Sequence, residues 1–142
     1  MRELVLFLLA RAAGAPGCTM EDPPSALGVL IDCNPRAWAG RPAELELLVE
    51  HLFVFLNAHQ LLMASNQLLL IGFNGAEIAC LWPRPNQSGK EAALEPAGPQ
   101  ALRAALVDGV AQLLESEATS ASLLSGATSR ALCRLQVRSS QR

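Results

Sequence analysis

Apolar residues in this chain form two short continuous runs separated by a long stretch with helical spacing. Residues 26–31 and 67–73 are almost wholly apolar, which predicts strands covered on both faces by other elements. Between them, apolar residues recur at three- and four-residue steps, which predicts a helix from about Pro42 to Ala64. Two strands joined through a long helix lie parallel with a right-handed crossover. The chain is therefore predicted to open with a βαβ unit.

The chain is predicted to reverse direction after the second strand. Asn74 and Gly75 lie between two hydrophobic runs, a pattern that favours a type I′ hairpin turn. Residues 76–82 are expected to return antiparallel, at one edge of a sheet with the second strand in the middle and the first strand beyond it. The predicted fold class is α/β, with a mostly parallel sheet and one antiparallel edge strand.

The second half of the chain is predicted to hold a loop and two helices. Residues 83–99 are rich in Pro, Gly and polar side chains, which is typical of a flexible loop. Helical spacing returns over residues 100–117, and residues 119–122 supply N-cap candidates for a last helix. One face of that helix carries arginines at four-residue steps, at Arg130, Arg134 and Arg138. They indicate either a solvated face or a surface that binds an acidic partner.

Phe53 interrupts the polar strip of the long predicted helix. By helical geometry its ring points the same way as the polar residues around it. This position indicates a contact with a partner protein or with a later part of the fold. The alternative is that a neighbouring loop covers the ring.

Residues 1–24 are predicted to be an N-terminal extension, disordered or preceding an alternative start at Met20, and residues 25–142 a partial domain. The apolar run after Arg2 loosely resembles a signal peptide, but Glu3 and Arg11 weaken that likeness. The last helix should lead into a further parallel strand, yet the sequence stops at Arg142. We therefore expect the first strand to keep an unpaired edge and the chain to be a fragment, a truncated isoform or half of a domain.

Composition narrows the classes of function. With 142 residues, 51% of them hydrophobic, the chain has the size of one domain with a substantial core. Its formal net charge of −2 lacks the basic excess that phosphate binding requires, so direct nucleic-acid binding is not expected. No stretch is expected to be long enough to span a bilayer. The four cysteines have no C-x-x-C spacing, which favours free buried thiols over disulfides or a zinc module.

The chemistry-bearing position of the sequence is the end of the first strand. Asp32 follows the apolar run directly, and open α/β sheets bind ligands outside the carboxyl ends of their strands. No catalytic constellation accompanies it, because His51 and His59 lie within a largely apolar helix, where a lone histidine is usually a satisfied core residue. We therefore do not expect an enzyme.

Three passages together resemble one known family: LGVLIDCNPRAW, then HLFVFLNAHQLLMASNQL, then SLLSGATSRALCRL. They are similar to the von Willebrand A-type domain of the general transcription factor IIH subunit 3 family. The resemblance implies a von Willebrand A-like, Rossmann-like fold, truncated here to about the first half of the domain. It also implies a non-catalytic structural role in the core of a nuclear complex that serves RNA polymerase II transcription initiation and nucleotide excision repair.

The resemblance further implies partners and cofactors. Other core subunits of that complex are the expected partners, especially a second von Willebrand A-type subunit that bears zinc modules. Members of the family carry a zinc-binding C-terminal region that is absent from these 142 residues, so no cofactor is expected in this chain. Contacts with nucleic acid or membrane are not expected.

The metal loop of adhesive A-type domains is degenerate in this sequence. Those domains bind Mg²⁺ through an Asp-x-Ser-x-Ser loop, because a small hard cation needs an octahedral shell of oxygens. Here only Asp32 remains, Asn34 and Ser122 are the residual oxygen donors, and Arg36 adds a positive charge. The structural alternative is that Asp32 accepts hydrogen bonds from the loop backbone or pairs with Arg36. A secreted, metal-dependent adhesive domain is accordingly the second functional hypothesis.

Overall fold

The structure is a computed structural model that describes residues 5–11, 25–62, 66–83, 98–116 and 123–140. It is an α/β fold with a four-stranded mixed sheet in the order β1-β2-β3-β4. The elements in chain order are β1 (Val5–Arg11), β2 (Ser25–Asp32), α1 (Pro35–Trp38), α2 (Pro42–Leu62), β3 (Gln67–Phe73), β4 (Ile78–Trp82), α3 (Pro99–Leu114) and α4 (Leu124–Ser140).

The strand pairings confirm the predicted βαβ unit and the antiparallel strand after it. β2 and β3 are parallel, with Ala26 opposite Gln67 and Asp32 opposite Phe73. β4 runs antiparallel to β3, and the pairing is irregular between Leu70 and Ile71. The carboxyl ends of β2 and β3 therefore lie side by side.

The prediction that the first predicted strand, β2, keeps an unpaired edge is wrong. Val5–Arg11, which the sequence analysis assigned to an N-terminal extension, pairs antiparallel with β2 so that Val5 faces Ile31 and Arg11 faces Ser25. An exposed strand edge presents unpaired N–H and C=O groups, and a second apolar strand satisfies them. Met20 and the other residues of 1–24 lie outside the described residues.

Helices cover both faces of the sheet. Because the side chains on both faces of β2 and β3 are buried, the sequences of these strands are continuous apolar runs. Successive side chains of a strand point to opposite faces. Val29 and Ile31 therefore join the core beneath α2 and α3, whereas Leu30 packs with Ala127 and Ala131 of α4. The sheet consequently separates two hydrophobic cores.

Two glycines allow α3 to approach the sheet closely. A Cβ on Gly72 of β3 would clash with Leu113, and a Cβ on Gly109 of α3 would clash with Leu81. Leu81 of β4 is buried between these positions. The missing side chains thus set the distance between α3 and the sheet.

The turn between β3 and β4 differs from the predicted type I′ turn. That type needs positive φ at both central residues, and among the described residues only Gly40 has positive φ, at 76°. Instead the Asn74 backbone N–H donates to the Glu77 carbonyl at 3.1 Å. The Asn74 side-chain oxygen accepts from the N–H groups of Ala76 and Glu77, each at 2.8 Å. A side chain that folds onto its own backbone stabilises the turn without any left-handed residue.

Helix α2 is long and apolar enough to cross a membrane, judged by length and composition alone. This finding differs from the expectation that no stretch has the necessary length. Core helices of soluble domains pass the same test. Leu52 and Leu56 of α2 are buried in the core that α2 and α3 form with one face of the sheet.

The three long helices agree with the prediction to within a few residues at their ends, and the short helix α1 was not predicted. Most of the predicted loop at 83–99, and the N-cap candidates at 119–122, lie outside the described residues.

Candidate functional site at the carboxyl ends of β2 and β3

The loop after β2 is built from hydrogen bonds between neighbouring residues. Asp32 Oδ1 accepts from the backbone N–H of Asn34 at 2.9 Å, and Asn34 Oδ1 accepts from the backbone N–H of Arg36 at 3.1 Å. Asn34 is thereby the N-cap of α1, whose first residue is Pro35. Of the structural alternatives stated for Asp32, the structure shows acceptance from the loop backbone.

Trp38 fixes the same loop from its other side. Its indole N–H donates to the Asp32 carbonyl oxygen at 2.8 Å, and its ring is buried. The Arg41 guanidinium carbon lies 5.9 Å from the centre of that ring, within range of a cation–π interaction. Arg41 also pairs with Glu44, and this hydrogen bond lowers the pKa of the Glu44 carboxyl. The strand end is thus closed by residues of its own loop and of α2.

Cys33 lies at the centre of the site, but its thiol is unreactive. Its side chain is fully buried, and its backbone N–H donates to the Phe73 carbonyl of β3 at 2.7 Å. Burial and the nearby Asp32 charge raise the pKa of the Cys33 thiol to about 12. Because the thiolate is the nucleophilic form, this thiol is inert at neutral pH.

The other cysteines correct part of the sequence prediction. In the described part of the chain, Cys33, Cys80 and Cys133 form no disulfide; Cys33 is buried as predicted, whereas Cys80 is half-buried and Cys133 is exposed. Cys133 lies on the outer side of α4, where no element packs over it in the part of the chain that is described. Cys18 lies outside the described residues.

Asn74 has a structural role at the strand ends that the sequence, which placed it only in a turn, did not predict. It is 1% exposed, and its side-chain N–H₂ donates to the Leu113 carbonyl at 2.9 Å and to the Ser116 hydroxyl. Its side-chain oxygen holds the β3–β4 turn as described above. All four hydrogen-bonding positions of the amide are therefore used. The only sequence signal was a polar residue directly after a fully apolar strand, which is also the ordinary pattern of a turn.

A second asparagine, Asn66, connects α2 to the start of β2 at the opposite end of the sheet. The Asn66 side chain donates to the His59 carbonyl at 2.9 Å and accepts from the Ser25 backbone N–H at 3.0 Å. His59 is buried, and its Nε2 lies 3.4 Å from the Gln67 carbonyl oxygen. His59 is therefore the satisfied core histidine that its apolar surroundings indicated. His51 is exposed on the same helix.

The described residues hold no cluster of three or more His, Cys, Asp or Glu side chains that suits a metal ion. Asp32 Oδ1 and Asn34 Oδ1 accept from loop N–H groups, so these two predicted oxygen donors already serve the backbone. Ser122, the third predicted donor, lies outside the described residues. The arrangement can hold a loop rigidly, and among the described residues no convergent oxygen shell forms around Asp32.

The residues proposed as partner contacts are not brought together by the fold. Phe53 packs against the core beneath α2 and α3, and its ring centre lies 6.0 Å from the Arg103 guanidinium carbon of α3. It therefore contacts a later part of the fold, one of the predicted alternatives. Arg130 lies on α4, across the sheet, and donates to the Ile78 carbonyl of β4 at 2.7 Å. Arg134 is half-buried on the same helix, to which Arg138 also belongs.

Comparison with known proteins identifies the family. The profile of the transcription factor Tfb4 family matches residues 24–142, which include every described element except β1. This chain belongs to the Tfb4 family. That is the family which the resemblance of the sequence predicted.

Three fungal relatives of the Tfb4 chain are each named general transcription and DNA repair factor IIH subunit TFB4. The Candida glabrata protein is 33% identical over 77 residues, which are 50% of this chain and 23% of the relative. The Yarrowia lipolytica protein is 33% identical over 67 residues, 46% of this chain and 20% of the relative. The Eremothecium gossypii protein is 35% identical over 71 residues, which are 46% of this chain and 21% of the relative. The chain thus covers less than a quarter of the length of these relatives.

Proposed function

We propose that this Tfb4-family chain is a non-catalytic structural part of general transcription and DNA repair factor IIH. In that role it acts in RNA polymerase II transcription and nucleotide excision repair through protein–protein contacts, in the nucleus. The observation that carries the proposal is the family match over residues 24–142. The names of the three fungal relatives support the same assignment.

The geometry of the strand ends supports a scaffold rather than a reaction centre. In an α/β enzyme the carboxyl ends of the strands would present free groups to a ligand. Here Asp32 and Asn34 hold their own loop, and Asn74 is occupied by the turn and by α3. Cys33 is buried with a raised pKa. These residues give the domain a fixed shape, which is what an assembly subunit needs.

We further propose that the fold is the first half of a von Willebrand A-like domain. The parallel β2–β3 pair, the antiparallel β4 and helices on both faces support this assignment. The proposed partners are other core subunits of factor IIH, first among them a second von Willebrand A-type subunit with zinc modules. The chain itself is proposed to carry no zinc and to make no direct contact with DNA.

A pull-down from nuclear extract tests the assembly role. The tagged 142-residue chain is the bait, with Leu70→Asp as a control that disrupts the core and Ser129→Ala as a surface control on α4, since Leu70 is fully buried and Ser129 exposed. Mass spectrometry should identify other factor IIH subunits with the wild-type chain and with Ser129→Ala, but not with Leu70→Asp. Recovery of none by the wild-type chain, while a full-length relative recovers them in parallel, overturns the proposal.

A further inference from the structure

Exposed large hydrophobic side chains are concentrated on one side of the sheet. Among the described residues, six of the seven lie on α2 or α3, and the seventh, Leu132, lies on α4. Leu47, Val54 and Leu61 follow one another at seven-residue steps along α2, which places them in one line on the helix surface. Contiguous exposed apolar surface of this kind marks an interaction site more often than isolated apolar residues do. The six residues are Leu47, Val54, Phe55, Leu61, Leu62 and Val107.

A groove lies between α2 and α3, and of the six exposed apolar residues only Val107 lines it. Its volume is about 710 Å³, and half-buried Leu45 and Val49 with buried Val110 form its deeper part. The α3 side is lined by the exposed small residues Ala104 and Ala111, with Val107 between them. Small side chains permit close approach of another helix, because interaxial distances depend on the side chains at the contact.

The groove has an acidic border. α2 and α3 together carry four acidic residues and one basic residue, Arg103, whereas α4 carries three arginines and no acid. Glu46, Glu50 and Asp108 line the groove, and Arg103 pairs with Glu50. The lining therefore combines an apolar floor with net negative charge.

We propose that the groove between α2 and α3 binds an amphipathic helix of a partner protein, whose apolar stripe is flanked by Lys or Arg. The apolar residues of that helix would cover Val49, Val107 and Val110, and its basic residues would face Glu46. This is the helix-in-groove mode of recognition, in which residues at i, i+3, i+4 and i+7 act as anchors. The inference rests on the proposed scaffold role, because it names a surface through which the scaffold binds.

Two other occupants fit the groove less well. A second copy of the chain would have to present a helix that is both basic and apolar. Among the described side chains of the basic helix α4, Leu132 is the one large apolar side chain that is exposed, and Ser125, Ser129 and Gln136 are exposed polar ones. A membrane with anionic lipids attracts basic rather than acidic surfaces, so the acidic border opposes that contact.

Peptide binding to the intact 142-residue chain tests the proposal. The probes are two synthetic helical peptides with the same leucine heptads, one flanked by lysines and one by glutamates. Fluorescence anisotropy should show that the lysine peptide binds at least about tenfold more tightly, and that Val107→Glu weakens it about tenfold, as expected for a charge placed against an apolar anchor. Glu46→Lys should shift the preference toward the glutamate peptide. Leu132→Glu on α4 is the matched control and should change neither affinity.

Several outcomes contradict the proposal. Equal affinity for the two peptides would show that charge does not determine binding. A loss of affinity in Leu132→Glu as large as that in Val107→Glu would show that the peptide does not bind in the groove. A dimer in sedimentation velocity that Val107→Glu dissociates reassigns the groove to a second copy. Co-sedimentation with phosphatidylcholine–phosphatidylserine vesicles that Val107→Glu abolishes reassigns it to a membrane. Circular dichroism checks folding, and Glu46→Lys still decides the matter if Val107→Glu does not fold, since Glu46 is exposed.

The pull-down separates this inference from the proposed function. If the wild-type chain recovers factor IIH subunits and Glu46→Lys recovers them equally, while the peptides do not discriminate, the scaffold role stands and the groove inference is wrong. If the wild-type chain recovers no subunit while a full-length relative recovers them in parallel, the proposed function is wrong, and the peptide measurements alone decide whether the groove binds a basic helix.

Discussion

At the scale of single residues, polar side chains near the ends of β2 and β3 hold the loops of this domain. Asp32 and Asn34 accept hydrogen bonds from the first loop, and Asn74 joins the β3–β4 turn to the C-terminal end of α3. The sequence predicted that Asp32 ends a strand, because a carboxylate after an apolar run is a local signal. It did not predict the role of Asn74, because Leu113 is 39 residues away along the chain.

Asn74→Ala is expected to destabilise the fold by about 2 kcal/mol, since it removes the four side-chain hydrogen bonds that hold the β3–β4 turn and join it to the end of α3. The free energy of unfolding in urea measures the effect. The matched control is Asn57→Ala. Asn57 is half-buried on α2, and its replacement should change stability by less than about 0.5 kcal/mol. Equal losses in the two variants would show that the Asn74 hydrogen bonds contribute nothing particular.

Cys33 should make stability depend on pH in the alkaline range. The pKa of its thiol is raised from 9.0 to about 12, so the unfolded chain loses this proton at lower pH than the folded chain does. The stabilisation is complete below pH 9 and declines as pH rises toward 12, by about 1.4 kcal/mol per pH unit.

Unfolding of the wild-type chain and of Cys33→Ala, compared from pH 7 to pH 10.5, measures this linkage. The two stabilities should run parallel up to about pH 9 and converge above it, since only the wild-type chain carries the titrating thiol. A constant difference across the whole range would contradict the assignment. Thiol reagents should label exposed Cys133 in the native state and Cys33 only after unfolding.

Magnesium should leave the thermal stability unchanged, because Asp32 Oδ1 and Asn34 Oδ1 already accept from the loop backbone. A bound ligand stabilises the native state in proportion to the logarithm of its concentration over Kd. Differential scanning fluorimetry with millimolar Mg²⁺ and with EDTA provides the measurement. A rise in Tm with Mg²⁺ that Asp32→Asn abolishes would support the adhesive-domain hypothesis instead.

At the scale of elements, the sequence predicted each long helix, the β2–α2–β3 unit and the antiparallel direction of β4. These follow from the periods of apolar residues, which are local properties. The type of the β3–β4 turn was predicted wrongly, because the Asn74 side chain substitutes for left-handed backbone at Gly75. The approach of α3 to the sheet depends on Gly72 and Gly109, whose importance appears only when Leu81 is placed between them.

Gly109→Ala should destabilise the fold although alanine favours a helix. The propensity gain is about 1 kcal/mol, and forcing a methyl group against Leu81 costs about 1 to 3 kcal/mol. Gly126→Ala on α4 is the matched control, because its added methyl meets only the flexible end of Ile78, at 3.0 Å. Urea unfolding should show a loss in the first variant and none in the second, and Leu81→Ala should relieve the clash in a double variant.

At the scale of the whole molecule, the sheet separates an acidic, apolar layer of α2 and α3 from the basic helix α4. Phe53 consequently lies on the opposite side of the sheet from the helix that carries Arg130, Arg134 and Arg138, so the four proposed partner residues do not form one surface. The groove between α2 and α3 could not be predicted from the sequence, since it forms between two helices that are far apart along the chain.

A chain that begins at Met20 should be less stable than the whole chain, because it lacks β1 and leaves the outer edge of β2 unpaired. We expect a lower urea midpoint and association that increases with concentration in sedimentation velocity. A shortened chain that stays monomeric and unfolds at the same midpoint would contradict the pairing of β1 with β2.

The sequence by itself determined the three long helices, strands β2, β3 and β4, the parallel alignment of β2 with β3, and the family. Those properties are encoded in the spacing of apolar residues and in contiguous motifs. The tertiary structure alone decided that β1 covers the edge of β2, that Asn74 joins a turn to α3, and that Phe53 meets Arg103. Each of these contacts joins residues far apart in sequence, so its free energy depends on how the packed elements are placed.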